Sequence, residues 1–248
     1  MSETVAVPSG SEKAIRAILF DKDGTLVDFN RTWFSIACEL ARRSAAGDAL
    51  LAKSLLDAGG YDHDAEKFRA NSVIAAGTVE DIVALWHPTD SAEQRRLRVA
   101  EYDIYGVEEG AKQAVAVEAL NQTLQALKQA GFILGIATND SEAGARATAE
   151  ALGISDLFSG FIGYDTAARA KPYADPLLHF AAVVGVAPEQ VAMVGDNPHD
   201  MECARAAKAG LAVGVLTGNS PREVLEPLAD IVLPSIADLP AYFAVTKD

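Results

Sequence analysis

The chain is poor in cysteine, poor in basic residues and without a long apolar run, and each shortage closes off a class of function. Only Cys38 and Cys203 occur in 248 residues. They lie far apart and outside any metal-ligand spacing, so neither a disulfide framework nor a zinc cluster is expected. Each reads as a small apolar filler, in keeping with a reducing cytoplasm. Lys and Arg number 21 against 35 Asp and Glu, a formal net charge of −14. With no basic tract, the chain is not a sequence-independent nucleic-acid binder and is not built to dock on anionic lipid. An anionic substrate stays open, because local cations or a bound metal override the global field. No stretch reaches the roughly 20 apolar residues that span a bilayer. Met1 to Gly10 is polar, with no basic patch leading into an apolar segment, so no signal peptide is expected. The chain therefore reads as soluble and cytoplasmic, with nothing that sets its oligomeric state.

What is present is a well-buried globule: half the residues are hydrophobic and 23% charged. A helix is expected over Ala114 to Ala130, stopped by Gly131, and a buried strand over Phe132 to Ala137. Helices over Ser141–Leu152, Asp175–Val184 and His199–Ala209 then alternate with strands near Phe161–Gly163, Val191–Val194, Leu211–Val215 and Ile231–Leu233. Alternation of this kind implies parallel pairing through right-handed crossovers, hence an α/β doubly wound parallel sheet with its ligand site beyond the carboxyl ends of the strands. The rhythm breaks between Asn30 and Gly110. No strand is evident there, and amphipathic helices are expected over 31–43, 49–56, 65–76, 79–86 and 91–104. A crossover needs only about a dozen residues, so roughly 80 make an inserted all-helical module. The expected division is a core of residues 1–29 and 111–248 and an insert of 30–110.

Chemistry gathers at four strand ends. Ile18 to Leu26 carries Asp21 and Asp23 at the tip of a buried strand, before a glycine turn. Period two sends both carboxylates to one side, where they repel unless a cation sits between them or one holds a proton. That suits Mg2+, with one aspartate free to attack phosphorus and the other to move a proton. Thr138 and Asn139 open a helix whose N–H groups can cradle a phosphate, or simply cap it. Lys171, if turned inward, offsets the carboxylates and holds a phosphoryl oxygen. Asp196 closes another strand and can complete a metal shell, with Asp200 either joining that shell or orienting Lys171. His199 reads as incidental.

The strings Asp21-Lys22-Asp23-Gly24-Thr25-Leu26, Thr138-Asn139, Lys171-Pro172 and Gly195-Asp196-Asn197-Pro198-His199-Asp200 resemble the four motifs of the haloacid-dehalogenase superfamily, in its phosphoglycolate-phosphatase-like branch with a helical cap. The resemblance implies a Rossmann-like core, a Mg2+-dependent phosphatase and a small phosphorylated metabolite as substrate. It makes Asp21 the nucleophile that forms an aspartyl-phosphate and Asp23 the general acid and base. Thr138 and the Asn139 backbone hold phosphoryl oxygens and Lys171 balances charge. Mg2+ is held by Asp21, the Asp23 carbonyl and Asp196, with Asp200 in or beside the shell. Two departures stand out. Lys22 replaces a frequent Phe and is expected to point away from the site, and Val107 to Gly110 replaces the usual Pro-Gly hinge. Trp33 and Phe34 are expected to pack in the cap core. Asp23 argues against a dehalogenase, and the absence of an inward-facing cap lysine (Lys53 and Lys67 are the cap's two) argues against a phosphonate hydrolase. A sugar-phosphate mutase and a non-catalytic phosphoryl-accepting regulator stay open as alternatives.

Overall fold

A computed structural model describes residues 14–245; the polar stretch Met1 to Gly10 lies outside them. Strand β1 (Ala17–Phe20) leads through the Asp21 turn into α1 (Phe29–Ser44) and α2 (Ala49–Gly59). A two-stranded antiparallel hairpin, β2 (Tyr61–Asp62) and β3 (Lys67–Phe68), precedes α3 (Val73–Ala76), α4 (Val79–Trp86) and α5 (Ala92–Gln113). Next come α6 (Leu120–Gln129), β4 (Ile133–Ala137), α7 (Glu142–Ala151), β5 (Phe158–Ile162) and α8 (Asp175–Val184). The chain then runs through β6 (Val191–Gly195), α9 (Pro198–Ala207), β7 (Leu211–Val215), α10 (Arg222–Leu225), β8 (Ile231–Leu233) and α11 (Leu239–Val245).

Six of the strands form one parallel sheet in the order β5-β4-β1-β6-β7-β8. Alternation along β1 shows why both faces are covered. Ile18 and Phe20 join Leu124 and Leu127 of α6 and Leu239 of α11 on one side, while Ala17 and Leu19 join Phe180 of α8 and Met201 of α9 on the other. Each fully buried Leu or Phe side chain contributes about 1.5–3 kcal/mol of transfer free energy, so this two-sided core anchors β1, whose tip carries the carboxylates. Close layer packing needs Gly135: a Cβ there would stand 2.2 Å from the Phe180 ring. Among the described residues no helix is long and apolar enough to cross a membrane.

Residues 29–113 build a third apolar cluster of their own, with Ile36, Leu40, Phe68, Val83, Trp86 and Tyr102 at its centre. Local signals start these helices: Asp28 caps α1, and capping boxes at Thr78/Asp81 and Ser91/Gln94 open α4 and α5. Three expectations need correction. The helix expected over 65–76 survives only as α3, because Tyr61–Asp62 pairs with Lys67–Phe68 in a hairpin, so the insert is not purely helical. The helix expected from Ala114 begins at Leu120. Residues 115–117 instead lie extended beside 26–28, with the Asp28 N–H donating to the Val115 carbonyl (2.8 Å) and the Val117 N–H to Leu26 (3.1 Å). The two passages between sheet and insert thus run side by side. Val107 to Gly110, expected at a hinge, is helical interior of α5.

Candidate active site

The predicted residues converge where the parallel strands end. Asp21 follows β1 directly, and its N–H bonds the Val194 carbonyl of β6 at 2.8 Å. The Lys171 ammonium, on the long loop after β5, donates to Asp21 Oδ1 (2.6 Å) and to Asp200 Oδ1 (2.7 Å). Asp200 stands in the first turn of α9 and its other oxygen accepts the Asn197 N–H at 3.0 Å, closing the helix cap. Asp196 leaves the tip of β6 and accepts the Asn219 N–H at 3.0 Å. Gly24 (φ +81°) and Gly218 let backbone approach its carboxylate: a Cβ on either would fall within 2.6 Å of it.

One ligand oxygen each from Asp21, Asp196 and Asp200 lies within 4.8 Å of the others, all three side chains being buried. Burial pushes the Asp21 carboxyl up to about 6, with Asp200 adding to the shift and Lys171 opposing it. Burial raises Asp196 well above the ordinary carboxylate range, and Asp21 and Asp200 add to that. Burial works to lower the Lys171 pKa, but Asp200 and Asp21 more than reverse it, so the ammonium stays charged. With all three ionised, the carboxylates against one ammonium leave two negative charges uncompensated in a buried pocket, and it is this charge that burial resists. Hard oxygen donors with that excess fit a divalent ion of the Mg2+ type. Asp23 contributes no side-chain oxygen to this group.

Thr138 and Asn139 sit beyond β4. The Thr138 hydroxyl accepts the Asp140 N–H at 3.1 Å. The Asn139 side chain clamps the Lys171 loop, donating to the Lys171 carbonyl (3.0 Å) and accepting the Lys171 N–H (3.1 Å), and also reaches the Ala76 carbonyl of the insert (2.8 Å). It therefore ties strand end, lysine loop and α3 together.

Lys22 does not point away from the site. It is buried, and its ammonium sits between Asp23 (2.9 Å) and Asp140 (2.7 Å), 5.0 Å from the centre of the Trp33 ring. Trp33 Nε1 donates to the other Asp23 oxygen at 2.5 Å. Burial raises the Asp23 carboxyl, with Lys22 opposing and Asp140 and Asp21 reinforcing. Trp33 thus holds a site carboxylate as well as packing against the cap cluster, while Phe34 stacks on Tyr61 at the surface. The signal for Trp33 was its place one turn into the helix that leaves the Asp23 loop. Nothing local signalled Asp140 as a partner of residue 22, 118 positions away. His199 lines the same cavity as the aspartates.

A model of haloacid dehalogenase-like hydrolases matches residues 15–208. The chain is 30% identical over 242 residues to phosphoglycolate phosphatase of Escherichia coli K12, covering 91% of each protein. It is 46% identical over 103 residues to phosphoglycolate phosphatase of Chromobacterium violaceum, covering 41% of this chain and 45% of that one. Among solved structures, a haloacid dehalogenase-like family hydrolase from Streptococcus pneumoniae superposes with a TM-score of 0.67 at 24% identity, covering 92% of this chain and 98% of that one. CbbY from Rhodobacter sphaeroides, in complex with phosphate, gives 0.63 at 19% identity over 91% and 96%. The span of the family match, over a parallel sheet whose strand ends carry Asp21, Thr138, Lys171 and Asp196, makes this chain a member of the haloacid dehalogenase-like hydrolases.

Proposed function

We propose that the protein is a Mg2+-dependent phosphomonoesterase that hydrolyses a small phosphorylated metabolite through an aspartyl-phosphate on Asp21. The observation that carries this reading is the Lys171 ammonium bridging Asp21 and Asp200 at 2.6 and 2.7 Å, with Asp196 beside them at the sheet edge. Phosphoryl transfer needs in-line placement and charge neutralisation more than elaborate covalent machinery, and these groups supply both.

Asp21 attacks phosphorus, forming a carboxyl-oxygen–phosphorus bond as the ester P–O bond breaks. Asp23 gives its proton to the departing alkoxide and then takes one from the water that cleaves the acyl phosphate. Trp33 and Lys22 hold Asp23 in line for both transfers. Thr138 and the Asn139 N–H hold the phosphoryl oxygens, and Lys171 offsets their charge. Mg2+ bound by Asp21, Asp196, the Asp23 carbonyl and Asp200 would supply the remaining neutralisation of the phosphoryl oxygens.

In the same reading, residues 1–29 and 111–248 form the catalytic core and 30–110 a cap that keeps water out while the phosphoenzyme forms. The separate apolar cluster of the insert supports that division. The enzyme works in the cytoplasm, and phosphoglycolate, which the names of the relatives carry, is the compound against which other esters are compared. The test is phosphate release from p-nitrophenyl phosphate with Mg2+ present. Asp21→Asn is expected to abolish it; near-normal turnover by that variant refutes the assignment. Recovery of an isomerised sugar phosphate without free phosphate would instead identify a mutase.

A further inference from the structure

The cavity above Asp21 rises between the insert's helices, and its upper wall is hydrocarbon. Trp33, Ile36, Leu40, Ile74, Ile82 and Trp86 line it, Asp103 and Asp140 add carboxylates, and His199 at the head of α9 is its one imidazole among the described residues. Lys171 is the only Lys or Arg among the lining residues, and its ammonium already bonds Asp21 and Asp200. None of the insert's Lys or Arg side chains lines the cavity; Arg42 and Arg43 pair with Glu39, Lys53 with Asp57, and Arg98 with Asp90. A carboxylate two carbons from the phosphoryl group would be stripped of water beside hydrocarbon and other carboxylates, with no free Lys or Arg among the described lining residues to receive it.

We infer that the alcohol half of the natural substrate is an uncharged, apolar group that fills the cavity between Trp33, Ile74 and Ile82. The inference rests on the phosphomonoesterase reading and narrows it: the class is an alkyl or similar hydrocarbon monophosphate, and 2-phosphoglycolate is a poor substrate. An amine-bearing leaving group fits less well. The Trp33 face already carries the Lys22 ammonium, and aliphatic side chains outnumber aromatic ones on the wall.

The test measures phosphate release by the full-length enzyme with Mg2+ from ethyl, n-butyl and n-hexyl phosphate, 2-phosphoglycolate and phosphocholine. Each methylene taken into the cavity is expected to raise kcat/KM by about fourfold until the space is filled. n-Butyl phosphate is expected to exceed 2-phosphoglycolate by about tenfold or more, the cost of a buried carboxylate without a partner. Ile82→Arg, which places a cation in the wall, is expected to move that ratio toward 2-phosphoglycolate, and Ile82→Leu to leave it in place. Should the arginine variant fail to fold, the wild-type series decides alone. Equal or better turnover of 2-phosphoglycolate or phosphocholine, abolished by Asp21→Asn, would overturn the apolar assignment and leave the phosphatase reading standing. No phosphate from any ester, p-nitrophenyl phosphate included, would overturn both.

Discussion

At the carboxyl edge of the sheet two ammonium groups each bridge two carboxylates, Lys171 between Asp21 and Asp200 and Lys22 between Asp23 and Asp140, all at 2.6–2.9 Å. Over the same space the insert turns isoleucine, leucine and tryptophan side chains downward. The floor is dense in charge and held by strands buried on both faces. The roof is apolar; its helix α5 packs along α7 of the core, and polar contacts join it to the floor at Asn139 and the Ala76 carbonyl, Trp33 and Asp23, Tyr164 and Asp103, and Asn30 and Asn219. In the proposed reading the floor carries out phosphoryl transfer, and discrimination between esters is left to the roof.

The largest expected effect sharpens the mechanical side of that contrast. Phe180→Ala, which empties the space over Gly135, should cost about 3–5 kcal/mol, whereas Ile82→Ala in the half-buried roof should cost about 1 kcal/mol or less. Urea unfolding of the two variants checks this, and equal losses would mean the roof is as tightly packed as the sheet. Mg2+ comes next. At about 100 times its Kd it should stabilise the wild type by about 2.7 kcal/mol. Asp196→Asn should lose most of that gain, as thermal unfolding with and without the ion will register.

Lys22→Met removes the ammonium from Asp23 and Asp140. It should lower kcat by about 10- to 100-fold with a smaller change in KM, a split that steady-state kinetics reads. If KM rises instead, Lys22 belongs to substrate binding and the division between floor and roof is wrong.

The smallest effect concerns Asp103. Burial raises its carboxyl to about 6, with Asp140, Asp165 and Glu80 adding and the Tyr164 hydroxyl opposing. A carboxyl whose pKa is higher folded than unfolded favours the folded state when protonated. Its contribution is complete below the ordinary aspartate value and is lost as pH rises through about 6. Asp103→Asn should therefore stabilise the protein at pH 7.5 by about 1–2 kcal/mol, part of the full shift being screened by solvent. It should also flatten the dependence between pH 4 and 7, and chemical denaturation across that range tests it. An unchanged slope would assign the dependence to the buried floor.

The floor was largely legible in the sequence. Asp21, Thr138 and Asp196 each sit where a buried apolar run meets a turn, Asp200 follows in the first turn of the next helix and Lys171 on the loop after β5, and in a parallel sheet such positions share one edge. Lys22 was misread because its partner Asp140 is distant along the chain, and period two alone gives a face but not what occupies it. The hairpin at Tyr61–Phe68 and the extended strap at Val115–Val117 were missed because cross-strand pairing leaves little trace in local helical periodicity.

The sequence by itself determined the alternation of strands and helices, the order of the charged motifs and their shared edge, because periodicity, caps and glycine stops act within a few residues. Only the tertiary structure decided that Asp23 is held between Lys22 and Trp33 and that, among the described residues, the cavity wall carries hydrocarbon and no free Lys or Arg. Those features arise where α1, α3 and α4 pack over the sheet. Which side chains meet there depends on interhelical geometry, and no local pattern encodes it.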